Sequence, residues 1–207
     1  MKSNNSSTYS KIIFFDFDGV VFDSINNMEK AWGETRKKFN LDVNFTEYRK
    51  HIGLPFKKIL TNININDEQD NILKYYAEIS LQNLDLIKPF KNIHETIDIL
   101  LNKDVCICLY TSKDQLRTEY LLKKFNFSFH YLFFGDGVYK KPNPTPINLI
   151  MKKYQIENKY AFFLGDSKTD YLTANKAGIN FLLAKWGYED LDIKYKLEKP
   201  MDLISYV

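Results

Sequence analysis

The chain has 207 residues, 44% hydrophobic and 27% charged, which excludes a largely disordered chain, a collagen-like repeat and a disulfide scaffold. Lysine and arginine total 29 against 26 acidic residues, so a formal charge of +3 gives no case for nucleic acid or an anionic membrane as partner. No run approaches the ~20 apolar residues that span a bilayer, and Met1–Ser10 is polar, unlike a secretory signal, so the expected compartment is the cytoplasm.

The first apolar run, Ile12–Phe15, reads as a buried strand. It leads into Asp16-Phe17-Asp18-Gly19-Val20. Residues two apart in extended chain face the same way, so Asp16 and Asp18 share one side and Phe17 points back to the core. Between Asp23 and Lys88 no buried strand is legible. Helical patterns cover Ser24–Phe39, Thr46–His51, Pro55–Leu60 and Asp67–Leu86, and Thr61–Asn66 reads as a loop. Roughly sixty residues exceed a single crossover helix, so 23–86 are predicted to form an all-helical insert. Residues 10–22 and 87–207 then form an α/β core.

Beyond Pro89-Phe90, helix and strand alternate. Asn92–Asn102 is predicted as a helix burying Ile93, Ile97 and Leu100. Val105–Tyr110 follows as a strand, with Cys106 and Cys108 on one face as buried thiols. A helix over Asp114–Lys124 is expected to bury Leu116, Tyr120 and Leu121. Next come a strand over Tyr131–Phe134 and a helix over Pro144–Tyr154 burying Ile147, Ile150 and Met151. The last strands are Tyr160–Leu164 and Phe181–Ala184. This alternation predicts a doubly wound, Rossmann-like parallel sheet.

In an open parallel sheet, ligands bind beyond the carboxyl ends of the strands. There the sequence places Asp16 and Asp18, then Thr111-Ser112, then Gly165-Asp166 with Asp170 about one helical turn on. Four carboxylates are expected to converge. Like charges at short range drive protonation unless something positive intervenes, and an all-oxygen cluster suits a hard cation such as Mg²⁺. Lys140-Lys141, after the third core strand, can bring an ammonium to the same crevice. Carboxylates, a metal, a lysine and a hydroxyl are the parts of a phosphoryl-transfer site.

Asp16-Phe17-Asp18-Gly19-Val20, Thr111-Ser112-Lys113, Lys141-Pro142-Asn143-Pro144 and Gly165-Asp166 with Asp170 resemble, in that order, the four motifs of the haloacid dehalogenase superfamily. The resemblance extends from about Lys11 to Tyr188, with the helical insert in the position of that family's cap. Asp23-Ser24, Gly178 and Trp186-Gly187-Tyr188 add a likeness to small phosphoglycolate-phosphatase-like hydrolases. It implies Asp16 as nucleophile, Asp18 as general acid and base, Thr111 and Ser112 as phosphoryl-binding hydroxyls, and Lys141 as the charge-balancing cation. It also implies Mg²⁺ held by Asp16, the Asp18 backbone carbonyl and Asp166, with Asp170 acting through water or Lys141. His51, before the cap-loop Gly53, is a candidate substrate contact.

The implied substrate is a small phosphorylated metabolite, with pyrophosphate hydrolysis and sugar-phosphate mutase activity as alternatives. Phe56 stands where mutases of this type carry arginine, which disfavours the mutase. A non-catalytic regulatory domain is disfavoured because no catalytic group is missing. The oligomeric state is not legible.

Overall fold

A computed structural model describes residues 9–207. Numbered in chain order, six parallel strands lie side by side as Tyr131–Phe133 (β5), Val105–Tyr110 (β4), Lys11–Phe15 (β1), Ala161–Gly165 (β6), Asn180–Ala184 (β7) and Lys196–Leu197 (β8). A separate antiparallel ribbon pairs Phe22–Asp23 (β2) with Lys88–Pro89 (β3), where the chain leaves the sheet and returns to it. Strand β1 is central, with Ile13 level with Ile107 on one side and Phe162 on the other. Chain order reverses beside it, which is where an open sheet leaves a crevice.

The strands read as unbroken apolar runs because helices cover both faces. Ile13, Phe15, Ile107, Leu109 and Leu164 pack on one face with helices Ile93–Leu101 (α5) and Gln115–Lys124 (α6). Ile12, Phe14, Cys106, Cys108 and Phe163 pack on the other with Thr145–Tyr154 (α7) and Lys168–Ala177 (α8). Cys106 and Cys108 are free, buried thiols.

The apolar stripes expected on α5 and α7 are buried, but that on α6 is not. Leu116 and Tyr120 are 67% and 50% exposed, and the inward face is instead Thr118, Leu121 and Leu122. Thr118 tolerates burial because its hydroxyl donates to the Asp114 carbonyl at 2.7 Å. Strand β8 and the β2–β3 ribbon are too short for a periodicity to reveal.

Between the ribbon strands lie Ile25–Lys38 (α1), Phe45–Arg49 (α2), Phe56–Asn62 (α3) and Gln69–Gln82 (α4). They share a third apolar cluster around Trp32, Tyr48, Leu60, Ile72 and Tyr76. Trp32 stacks on Tyr48 at 4.6 Å and donates its indole N–H to the Val43 carbonyl. Thr61 and Asn62, expected in a loop, extend α3, with the Thr61 hydroxyl donating back to the Lys57 carbonyl. Helix α4 begins at Gln69 and gives way after Gln82 to a 3₁₀ turn over Leu84–Leu86. Among the described residues, no helix is long and apolar enough to cross a membrane.

Candidate active site

The site grows from the end of β1. The Asp16 amide donates to the Leu164 carbonyl at 2.9 Å, prolonging the ladder to β6 by one residue. This fixes the Asp16 carboxylate beyond the sheet, 4% exposed, while Phe17 turns into the core. Asp16 Oδ1 lies 2.7 Å from Lys141 Nζ and accepts from the Phe17 amide. Lys141 also donates to Asp170 Oδ1 at 2.6 Å. Asp170 Oδ2 accepts from the Ser167 hydroxyl and amide, completing the capping box that starts α8. Asp170 is therefore bound by the protein through both oxygens.

Asp166 sits between two glycines whose missing side chains make room for it. A Cβ on Gly19 (φ +86°) would lie 2.0 Å from Asp166 Oδ2, and one on Gly187 would lie 2.2 Å from Asp166 Cβ. Asp166 Oδ2 accepts from the Tyr188 amide at 2.7 Å.

The oxygens of Asp16, Asp166 and Asp170 come within 4.8 Å of one another. Asp18, expected as a fourth member, stands apart. Its two carboxylate oxygens accept from Lys113 Nζ at 2.9 and 3.0 Å, and Oδ1 also accepts from the Ser24 hydroxyl. A lysine 4% exposed in its side chain claims this carboxylate, so three side chains converge and not four.

Charge crowding shows in the acidities. Burial, with Asp170 beside it, pushes the Asp16 carboxyl up to about 7 against the pull of Lys141. Burial, Asp170 and Asp16 push Asp166 well above the usual carboxylate range. Burial alone would lower the Lys141 ammonium, but Asp16 and Asp170 reverse that and hold it charged. Burial lowers Lys113, offset in part by Asp18. Three crowded carboxylates with one lysine, all oxygen donors and no His or Cys, fit a hard divalent cation.

Above these groups lies a cleft of about 90 Å³, below the ~300–1,000 Å³ of drug-sized pockets. Thr111, 1% exposed, lines it, and its hydroxyl accepts from the Lys113 amide. Ser112 lines it too, its hydroxyl donating to the Gly53 carbonyl at 3.2 Å. His51 does not line it. The turn at the foot of α2 presents Ile52, Gly53 and Leu54 to the cleft, and the His51 ring instead meets the Asn62 side chain at 3.4 Å. Of the lysine pair, Lys141 is buried and Lys140 exposed. Sequence reasoning gave no role to Lys113, Arg117, Tyr48 or Tyr76, all of which line the cleft. For Lys113 a signal existed, since it directly follows Thr111-Ser112 at a strand end.

A doubly wound sheet with a roofed acidic cluster at its topological switch point defines a capped α/β protein of the strand-end type. The family model of the haloacid dehalogenase-like hydrolases matches residues 13–184, and the chain belongs to that family. It is 26% identical over 203 residues to a phosphoglycolate phosphatase of Aquifex aeolicus, covering 94% of this chain and 95% of the relative. A pyrophosphatase PpaX of Oceanobacillus iheyensis is 21% identical over 207 residues, covering 95% and 96%. Among solved structures, a haloacid dehalogenase-like family hydrolase from Streptococcus pneumoniae superposes with a TM-score of 0.82 at 20% identity, covering 95% and 97% of the two chains.

Proposed function

We propose that the protein is a Mg²⁺-dependent phosphatase that hydrolyses a small phosphomonoester through an aspartyl-phosphate formed on Asp16. The observation that carries this reading is the Asp16–Lys141–Asp170 chain of contacts with Asp166 beside it and Asp18 poised next to it on Lys113. Asp16 and Asp166 would hold the cation, together with the Asp18 backbone carbonyl. Bound there, it would neutralise the crowded carboxylates and polarise the phosphoryl group.

Lys141 keeps Asp16 in position for attack on phosphorus. As the Asp16–phosphorus bond forms, the bond to the leaving oxygen breaks and that oxygen takes a proton from Asp18. Asp18 then removes a proton from water, whose oxygen attacks phosphorus and releases inorganic phosphate and free Asp16. Lys113 and Ser24 orient Asp18 for both transfers. Thr111 and Ser112 offer hydroxyls to the phosphoryl oxygens, and Lys141 balances their charge. Helices α1–α4 act as a cap that limits substrate size and excludes bulk water. The match to an enzyme named phosphoglycolate phosphatase supports a phosphoglycolate-like ester, and the match to a pyrophosphatase supports pyrophosphate as a second reading.

The test is phosphate release from an aryl phosphate, phosphoglycolate, pyrophosphate, sugar phosphates and nucleotide monophosphates, with Mg²⁺ and with chelator. Asp16→Asn is expected to lower turnover by about 10³-fold or more with the circular dichroism spectrum unchanged. Full turnover in Asp16→Asn would overturn the nucleophile assignment, and full turnover in chelator the metal requirement.

A further inference from the structure

Two cations, Lys113 and Arg117, line the cleft, and a third, Lys141, is buried behind Asp16. Lys141 is bound to Asp16 and Asp170, and Lys113 to Asp18, so both are committed to groups of the proposed reaction. Arg117, four residues beyond Lys113 on α6, is not. Its Nε pairs with Asp114, the N-cap of the same helix, and its Nη1 donates to the Ser80 hydroxyl on α4 at 2.7 Å. Ser80 in turn donates to Asn27 Oδ1 at 2.7 Å, and Asn27 is held by the Ser80 and Asn83 carbonyls. The guanidinium is thus fixed from both sides of the cleft before any ligand arrives, which reduces the ordering cost of binding.

Among the described residues no protein group accepts from Arg117 Nη2, and no buried side-chain nitrogen lacks a partner. Nη2 therefore belongs to the accessible surface of a side chain that lines the cleft. The roof around it carries no opposing charge. Tyr48 and Tyr76 are kept protonated by burial, Tyr76 with its acidity pushed up to about 12, and no charged side chain of α1–α4 lines the cleft. Asp114, which balances Arg117, does not line it either.

We propose that Arg117 is the specificity-determining residue of this cleft and takes a second anionic group, carboxylate or phosphate, carried by the leaving side of the substrate. The inference rests on the phosphatase reading above and adds what it leaves open, the charge of the substrate's far end. A planar, permanently charged fork matches either anion.

The experiment measures kcat/KM with Mg²⁺ for phosphoglycolate, pyrophosphate and ethyl phosphate in wild type, Arg117→Gln and Ser80→Ala. Ethyl phosphate lacks a second anion, and the other two separate carboxylate from phosphate recognition. Wild type is expected to prefer one anionic substrate over ethyl phosphate, and Arg117→Gln to reduce that ratio about ten-fold or more. Ser80→Ala, which removes the tie between α6 and α4 but keeps the charge, is expected to hold the ratio within about two-fold. Each ratio is taken within one protein sample, so a partly unfolded variant still reports. A parallel loss on all three substrates in Arg117→Gln, or no wild-type preference, overturns the assignment of Arg117 alone. No wild-type turnover of the three with the aryl phosphate still hydrolysed also overturns the assignment of Arg117 alone, whereas no turnover of any phosphate ester tested overturns the phosphatase reading and this inference with it.

Discussion

The floor and the roof of the cleft carry opposite kinds of chemistry within one small space. On the floor, Lys141 Nζ stands 2.7 Å from Asp16 and 2.6 Å from Asp170, with all three side chains almost wholly inaccessible. On the roof, α2 and α4 present Tyr48 and Tyr76, the turn after α2 presents Ile52 and the Gly53 backbone, and no charged side chain of the insert lines the cleft. Floor groups are held by strand ends and by the capping box of α8, so their positions follow from the sheet. Roof groups are held by packing around Trp32 and Leu60, and their relation to the floor depends on how the insert sits. The groups proposed to make and break bonds thus ride on the sheet, and the insert supplies shape.

Removing the floor's cation should have the largest effect. Lys141→Met leaves Asp16 and Asp170 facing one another without compensation in a buried site, a loss of about 3–5 kcal/mol. Thermal unfolding is expected to fall by roughly 10 °C for a chain of this size, with part of the loss recovered on adding Mg²⁺. An unchanged melting temperature would mean that the floor does not depend on the lysine.

A change on the roof should instead spare stability and strike turnover. Gly53 has φ +94°, and a Cβ there would lie 2.8 Å from Ser167 Oγ on the floor. Gly53→Ala brings strain of about 1–2 kcal/mol to the closed arrangement, so kcat/KM is expected to drop about ten-fold while the melting temperature moves by only a few degrees. Turnover equal to wild type would show that this roof-to-floor contact is not made during catalysis.

The smallest expected effect concerns pH. Asp16 is raised in the folded protein from 3.8 to about 7, so the folded state holds this proton more tightly than the unfolded chain. Its contribution to metal-free stability is therefore full below about pH 4 and lost as pH rises through about 7. A cation must displace that proton, so Mg²⁺ should raise the melting temperature by a few degrees more at about pH 8 than at about pH 5.5. A shift independent of pH would place the cation away from Asp16.

What the sequence revealed follows the same division. Strands β1, β4, β6 and β7 were legible because they are almost wholly buried and bounded by turn residues, and the half-buried edge strand β5 by its apolar run; Asp16 and Asp166 follow from the strand ends and Lys141 from the loop after β5. The inward face of α6 was not, because a threonine that satisfies its own hydroxyl replaced a leucine in the buried stripe. Asp18's departure from the carboxylate cluster depends on Lys113, whose place after Thr111-Ser112 marks it as near the site but does not say which carboxylate it meets. His51 turned away because the turn after α2 offers the cleft its backbone and two apolar neighbours instead. Arg117, Tyr48 and Tyr76 could not be foreseen, since their meeting is a matter of how two bodies dock.

The ribbon in which Phe22 faces Pro89 and Asp23 faces Lys88 bears on how such a molecule can change over time. Because the two crossings into the insert are paired, the insert closes a loop whose ends lie about 5 Å apart whatever its length. Closure entropy then grows only logarithmically, by about 0.6 kcal/mol per doubling. In closure entropy alone, the insert's roughly sixty residues can thus be trimmed or enlarged at little cost. The chain itself crosses between sheet and insert through four paired residues.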